Sequence, residues 1–300
     1  MKNSIDPPNE PVSGFPIKFQ WRTGDWFDIF QEHIAVIQRD VQRALAGGRL
    51  VVYLSCPISS YGGSFYATNV EIANFTALRL LNAWGTRFWF LNPTQYQMES
   101  EAGLGLIRDD AREIMLKQPG RKIDVDGLMK DTPAQGGDYM RMWTRVLVED
   151  DAQDKYFLGA RFSAFYFLGP SDVREFFISG GYQNLSYAID DYFARKSGTD
   201  YAFRQYFYPP FQDNKGTVLT GDDEKKEWER RRENFFQFYS AKASAAYSKG
   251  SHDEWNIWCI LNERRRTKLG LGFQIPGYFG GQAIDPAAAE KTISPGYAVP

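Results

Sequence analysis

The chain predicts an α/β fold built on a parallel sheet, and three stretches carry that prediction. "RLVVYLSCPI" (49–58), "TRFWFLNP" (86–93) and "FSAFYFLGP" (162–170) are nearly unbroken apolar runs of strand length, the pattern of strands covered on both faces. Between the first two lie a glycine loop, "SSYGGSFYATN", and a helical stretch, "VEIANFTALRLLNAWG". Strand, loop, helix, strand is a βαβ unit, whose crossover is right-handed and whose strands run parallel.

Residues 1–20 are rich in Pro, Ser and Asn and favour an extended N-terminal arm, which leaves 21–300 as a single α/β domain. "TGDWFDIFQEHIAVIQRDVQRALAGG" (23–48) repeats Trp26, Ile29, Phe30, His33, Ile34, Ile37, Val41 and Leu45 at three- and four-residue spacing. That is an amphipathic helix ended by Gly47 and Gly48, with His33 a structural residue on its packed side. The helix before Gly85 takes Thr68 or Asn69 as its cap. Residues 99–118 read as a helix. The following "QPGRKIDVDGLMKDTPAQGG" lacks periodicity and reads as a long loop, of the kind that forms lids. "DYMRMWTRVLVEDD" (138–151) is helical, and "SDVREFF" opens a helix with Ser171 as cap. Residues 180–220 show no clear pattern, and "GDDEKKEWERRRENFFQFYSAKASAAY" (221–247) reads as one long helix with a solvated face of mixed charge. The stretch from about 173 to 247 is thus a long helical insertion.

Composition narrows the function classes. A formal charge of −2 over 300 residues gives no general pull toward polymeric nucleic acid or anionic lipid. The arginine triplets at 230–232 and 264–266 fall on helices, where consecutive side chains point around the cylinder instead of toward one phosphate. Two cysteines, Cys56 and Cys259, supply no disulfide framework, and reduced thiols are expected. The first residues have no apolar run behind their lysine, so neither a signal peptide nor a membrane anchor is expected, and the expected location is cytoplasmic. Aromatic residues make up 16%, which suits gripping a flat ligand or building homo-oligomer contacts.

In an open parallel sheet, ligands bind beyond the carboxyl ends of the strands. That rule selects "SCPISSYGGS", "NPTQY" with Asn92, and "GPSD". Gly62 and Gly63 with Ser64 can present N–H groups to a phosphate or a sugar hydroxyl. Neither the dinucleotide fingerprint nor the P-loop is present, so no cofactor is expected. "KGSHDEWNIWCILNERRR" (249–266) is the other candidate. Ser251 and Glu254 form S-x-x-E, a capping box that by itself accounts for both, and Asp253 suits the first turn of a helix. His252, Asp253 and Glu254 are consecutive and diverge on a helix, which argues against a metal site. Cys56 with His252 as base would make a thiol nucleophile, although a cysteine in an apolar strand is more typically a small buried residue.

Three blocks together resemble the nucleoside 2-deoxyribosyltransferase and nucleotide N-glycosidase superfamily. "VVYLSCPISSYGGSFYATNVEIANFTALRLLNAWGTRFWFLNP" is similar to its opening, with a Y-L-x-x-P strand end and a second strand ending in N-P. "DYMRMWTRVLVED" with "FSAFYFLGP" resembles its next unit, and "KGSHDEWNIWCILNE" stands where the family has a glycine turn and a helix whose early glutamate is the nucleophile. The resemblance implies a flavodoxin-like (Rossmannoid) sheet with helices on both faces, assembly as a homo-oligomer, and cleavage of the N-glycosidic bond of a nucleoside or nucleotide by hydrolysis or 2-deoxyribosyl transfer. It implies Glu254 as nucleophile, kept ionised by its helix N-terminus, with Tyr53 orienting it and Asp172 or His252 as acid/base. Gly62, Gly63, Ser64 and Asn92 would line the substrate, Asp138 and Arg141 would hold sugar hydroxyls or phosphate, and Trp255 would stack a base.

The chain departs from the family in two places. Some 80 residues separate "FLGPSD" from "GSHDE", and Ser248 stands where the family has an aspartate, leaving Asp172, Asp253 or Asp138 to replace it. An NAD-type dinucleotide glycohydrolase, and a non-catalytic nucleotide-binding or assembly protein, are the alternatives.

Overall fold

A computed structural model describes residues 4–98, 101–149 and 156–300. The first two residues of the helix expected over 99–118, and the last two of that expected over 138–151, lie outside the described residues. The described elements are α1 (Asp25–Ala46), β1 (Leu50–Ser55), α2 (Tyr66–Trp84), β2 (Phe88–Leu91), α3 (Glu101–Lys117), α4 (Val125–Asp131), α5 (Gly136–Val148), β3 (Ala164–Phe167) and α6 (Pro170–Ile178). They continue with α7 (Leu185–Thr199), α8 (Tyr201–Phe207), α9 (Asp222–Gln237), α10 (Lys249–Leu269), β4 (Gly277–Phe279) and β5 (Gln282–Ala283).

The five strands form one sheet in the order β2-β1-β3-β4-β5. The three apolar runs pair in parallel, with Tyr53 opposite Leu91 on one side and opposite Phe165 on the other. β4 continues the parallel set beside β3, whereas β5 turns back antiparallel, so the sheet is mostly parallel and not wholly so. The reversal is a tight turn through Gly280 and Gly281, both at positive φ, which only glycine enters without strain.

Alternation along the strands assigns the two faces. Val51, Tyr53, Leu91, Phe165 and Phe167 join the core that holds apolar residues of α1, α3, α5 and α10. Val52, Leu54, Phe90, Ala164 and Tyr166 join a second core with α2, α6, α7, α8 and α9. Both faces are therefore buried, which is why these strands read as continuous apolar runs and not as alternating ones.

Several local expectations are corrected. The aperiodic stretch after α3 contains α4, whose start is set by the Asp124 carboxylate accepting the Gly127 N–H at 3.0 Å. α2 begins at Tyr66 with Phe65 as cap, so Thr68 and Asn69 lie inside the helix, where both are buried. α6 begins at Pro170, one residue before Ser171, and is capped by Asp172 reaching back to the Gly169 N–H at 2.7 Å. Residues 180–220, patternless in sequence, hold α7 and α8, capped by Asn184 and Asp200. The long helix expected to 247 ends at Gln237, and a π turn over Phe238–Lys242 follows. His33 is the expected structural residue: its two ring nitrogens meet the Asp110 carboxylate at 2.9 Å and the Tyr96 carbonyl at 2.8 Å.

Candidate active site

Tyr53 and Ser55 are two residues apart on β1 and so project from the same face of the sheet. α10 packs across that face and points Glu254 at both. The Tyr53 hydroxyl donates to Glu254 Oε1 at 2.6 Å, and the Ser55 hydroxyl donates to Glu254 Oε2 at 2.5 Å. Each carboxylate oxygen thus receives one hydroxyl, and the side chain is buried. The site sits where β1 and β3 end side by side: the Leu168 N–H bonds the Ser55 carbonyl at 2.9 Å, and the Ala245 N–H, from the turn before α10, bonds the Leu168 carbonyl at 2.8 Å. β2 and β3 flank β1 on opposite sides, so this is the sheet's switch point, where ligands of open α/β folds bind.

Burial dominates the electrostatics here. It pushes the Glu254 carboxyl up to about 7, against the downward pull of the Ser55 and Tyr53 hydroxyls, with the nearby Asp253 charge adding to the rise. The expectation that the helix N-terminus keeps Glu254 ionised is corrected: it is the sixth residue of α10, past the turn where the dipole acts. A dipole contribution of about 0.3–1 kcal/mol is smaller than the roughly 3 kcal/mol that such a rise represents. Tyr53 is held far above the ordinary tyrosine range, by burial first and by the Glu254 charge second, so it stays a proton donor. Cys56 is raised in the same way, by burial and then by Glu254, and remains a thiol.

The start of α10 differs from the capping box expected of Ser251 and Glu254. Its cap is Ser248, whose hydroxyl accepts the Ser251 N–H at 3.4 Å. Glu254 is thereby free to reach β1, and the buried Ser251 hydroxyl has no hydrogen-bond partner among the described residues. The rest of the motif holds the C-terminal segment. Asp253 accepts the N–H groups of Gly296 at 2.9 Å and Tyr297 at 2.7 Å. Asn256 pairs with the backbone of Ile293 in both directions, and Trp255 donates from its indole to the Lys291 carbonyl at 3.1 Å. The ring nitrogens of His252 meet the carbonyls of Ser294 at 3.1 Å and Ala246 at 2.9 Å. Helical geometry separates this tail-binding side from the side carrying Glu254.

Of the residues expected to act together, contact unites Glu254 and Tyr53. Asp172 belongs to the opposite face of the sheet, where it accepts from the Tyr166 hydroxyl at 2.7 Å and pairs with Arg79. Asp138 caps α5 through the Gln135 N–H at 2.7 Å and also takes the Arg22 N–H at 2.5 Å. Arg141 lies between the rings of Phe27, 4.4 Å away, and Trp21, 4.9 Å away. Asn92 bonds Asn74 at 2.8 Å and caps the short turn after β2. Trp255 packs on Phe167 and Trp258, at ring separations of 5.2 and 5.0 Å. The Ser64 hydroxyl accepts the Tyr61 N–H at 2.7 Å and so closes its own loop. Gly62 and Gly63 both take positive φ, and Gly63 lies against the Asn234 carbonyl of α9 so closely that a side chain there would collide with it. The glycines therefore dock the loop onto α9.

A thiol site pairing Cys56 with His252 is overturned, because both nitrogens of that ring are engaged by backbone carbonyls. The arginine triplets have partners of their own: Arg230 and Arg231 bond Glu227, Arg232 bonds Asp190, Arg264 and Arg265 bond backbone carbonyls, and Arg266 bonds Glu290. Among the described residues no cluster of His, Cys, Asp or Glu is arranged to hold a metal ion, and no helix is long and apolar enough to cross a membrane. Ser55 and Ser251 were missed in the sequence. The first had a signal, since in a strand the residue two past Tyr53 shares its face; the second was hidden by the capping-box pattern. No protein-family model, no curated protein and no solved structure matches the chain.

Proposed function

We propose that the protein cleaves the N-glycosidic bond of a nucleoside or nucleotide, with Glu254 as the nucleophile and Tyr53 and Ser55 as the groups that orient it. One observation carries this reading: a buried carboxylate at the switch point of an α/β sheet, each of its oxygens held by a hydroxyl donor. The strand order 2-1-3-4-5 is that of flavodoxin-like folds, which supports the same reading, with β5 the departure from it. One turn before Glu254, the unpartnered Ser251 hydroxyl is available to a hydroxyl or phosphate of the substrate.

The chemistry follows from charge. As the bond to the base breaks, the sugar carbon becomes cationic and the base leaves with the bonding pair and takes up a proton from solvent, which the attacking water returns in the second step. The Glu254 oxygen bonds to that carbon, and water or a second base then displaces the carboxylate. Hydrogen bonds from Tyr53 and Ser55 hold both oxygens in place and lower the charge the leaving carboxylate must carry alone. An intracellular homo-oligomer is the setting this reading implies.

A specific observation favours a second reading, a non-catalytic nucleotide-binding protein: Asp172 and His252, the expected acid/base groups, are both engaged away from Glu254. Incubation with nucleosides, nucleoside monophosphates and NAD, followed by chromatography for free base, separates the two. Free base from one class supports the enzyme and names its substrate, with NAD turnover indicating the dinucleotide glycohydrolase. Binding of these compounds with no base released supports the second reading.

A further inference from the structure

α5 buries two charged side chains, Asp138 and Arg141, and the Arg141 guanidinium belongs to no part of the Glu254 cluster. α5 turns about 100° per residue, so Arg141 and Trp143 point roughly 200° apart. The Trp143 ring lies 5.7 Å from that of Tyr53, on the sheet side. Arg141 therefore faces away from the sheet, toward Trp21 just before α1 and Phe27 of α1, whose rings lie 4.9 and 4.4 Å from its guanidinium. Only 5% of the residue is exposed, and its Nε is buried with no hydrogen-bond partner among the described residues.

Among the described residues no carboxylate forms an ion pair with Arg141. The neighbouring acids are already engaged. Asp138 is bonded to the backbone N–H groups of Gln135 and Arg22, and Glu149 pairs with Arg145 at 2.8 Å. Other partly buried arginines differ: Arg79 pairs with Asp172 and Glu175, and Arg121 with Asp25 and Asp28. A guanidinium withdrawn from water without an anion is costly, and burial together with the charge of Arg145 pulls its pKa down to about 10. Two aromatic faces offset part of that loss, since an arginine between rings keeps its in-plane N–H groups free.

We propose that the slot formed by Trp21, Phe27 and Arg141 is a binding site for a small oxyanion, a phosphate or carboxylate group, separate from the Glu254 site. The rings set the plane of the guanidinium, and its terminal N–H groups are the donors that receive two oxygens of the anion. Trp21 lies in the segment between the arm and α1, whose backbone also bonds Asp138 through Arg22, so an anion here ties that segment to α5. The proposal is independent of the glycosidic reading.

The test is a titration of the whole protein with sodium phosphate and, separately, sodium acetate, with sodium chloride holding ionic strength constant. Thermal midpoint, tryptophan fluorescence and the Arg141 Nε–Hε NMR signal are followed, with Arg141→Lys and Arg141→Met alongside. One anion is expected to shift the fluorescence and the Nε–Hε signal saturably and to raise the midpoint by about 2 °C at ten times its dissociation constant. Phosphate acting alone indicates a phosphate group as the natural ligand, and acetate a carboxylate. Arg141→Met should lose the response and Arg141→Lys should keep a weakened one. If neither anion moves the wild-type NMR signal, or if Arg141→Met responds as the wild type does, the proposal is overturned; the wild-type signal decides the matter even where the Met variant fails to fold.

Discussion

Glu254 and Tyr53 stand 201 positions apart in the chain and 2.6 Å apart across a hydrogen bond. β1 and α10 meet at that bond, and the Ser55 hydroxyl on the other carboxylate oxygen fixes the rotation of the group. A buried acid held in this way is poised between its charged and neutral forms near neutral pH.

Its protonation makes stability depend on pH. The folded-state value of about 7 exceeds the ordinary 4.5, so between these values the folded chain binds more protons than the unfolded one. Stability contributed by the neutral form is present below pH 4.5 and is lost as pH rises to 7, by on the order of 3 kcal/mol. Glu254→Gln removes that loss. Its thermal midpoint should exceed the wild type's by about 4–5 °C at pH 8 and nearly coincide with it at pH 4.5, as calorimetry at the two values will read.

The two hydroxyls are expected to tune the same group. A hydrogen bond to a charged acceptor is worth about 1.5–3 kcal/mol, so losing either donor should raise the Glu254 pKa by roughly one to two units. On the proposed mechanism base release needs the ionised form, so it should rise with pH through about 7. In Tyr53→Phe and in Ser55→Ala the midpoint of the kcat/KM profile should move to higher pH, and an unmoved midpoint would show that the hydroxyls do not act on Glu254.

Asp172 is expected to be structural. It holds Arg79, the Tyr166 hydroxyl and the Gly169 N–H on the far face of the sheet. Asp172→Ala should destabilise the fold by about 3–5 kcal/mol, as breaking a buried pair does. The pH profile of base release from the folded fraction should stay where it is, and urea unfolding with activity measured on the same sample tests both halves.

Asp253, beside the proposed nucleophile in sequence, should act chiefly on the tail, with a lesser fall in the Glu254 pKa as its charge is removed. Its carboxylate holds the N–H groups of Gly296, Tyr297 and Ala298. Asp253→Ala should free them at a cost of about 1–3 kcal/mol, seen as lost hydrogen-exchange protection at 296–298 and faster proteolytic trimming.

The parts of this fold that could be read in the sequence are those where pattern and burial coincide. Three runs such as "VVYLS" gave the parallel strands because both faces are covered, and the spacing from Trp26 to Val41 gave α1 with His33 on its buried side. α4 and α8 escaped because short helices are set by single caps, Asp124 and Asp200, and by tertiary packing, and α7, capped by Asn184, buries only Ala188, Ile189, Tyr192 and Phe193. At the site, a tyrosine ending a strand and a glutamate opening a helix suggested a meeting that local physics alone could not decide. "SHDE" satisfies a capping box on paper, and only the position of Ser248 as the true cap shows that Glu254 is spent elsewhere. Asp172, Asp138 and His252 looked equally chemical in sequence. Each is explained by backbone groups or ion pairs that come together only in three dimensions.

The most direct measurement is acid-quenched peptide mapping by mass spectrometry on the compound that releases base fastest, with Glu254→Gln run beside the wild type. The account predicts a peptide spanning residue 254 that carries the mass of the sugar in the wild type, and no base release from a folded Glu254→Gln. Base release by Glu254→Gln at the wild-type rate, or no release from any nucleoside, nucleotide or NAD by the wild type, would contradict it.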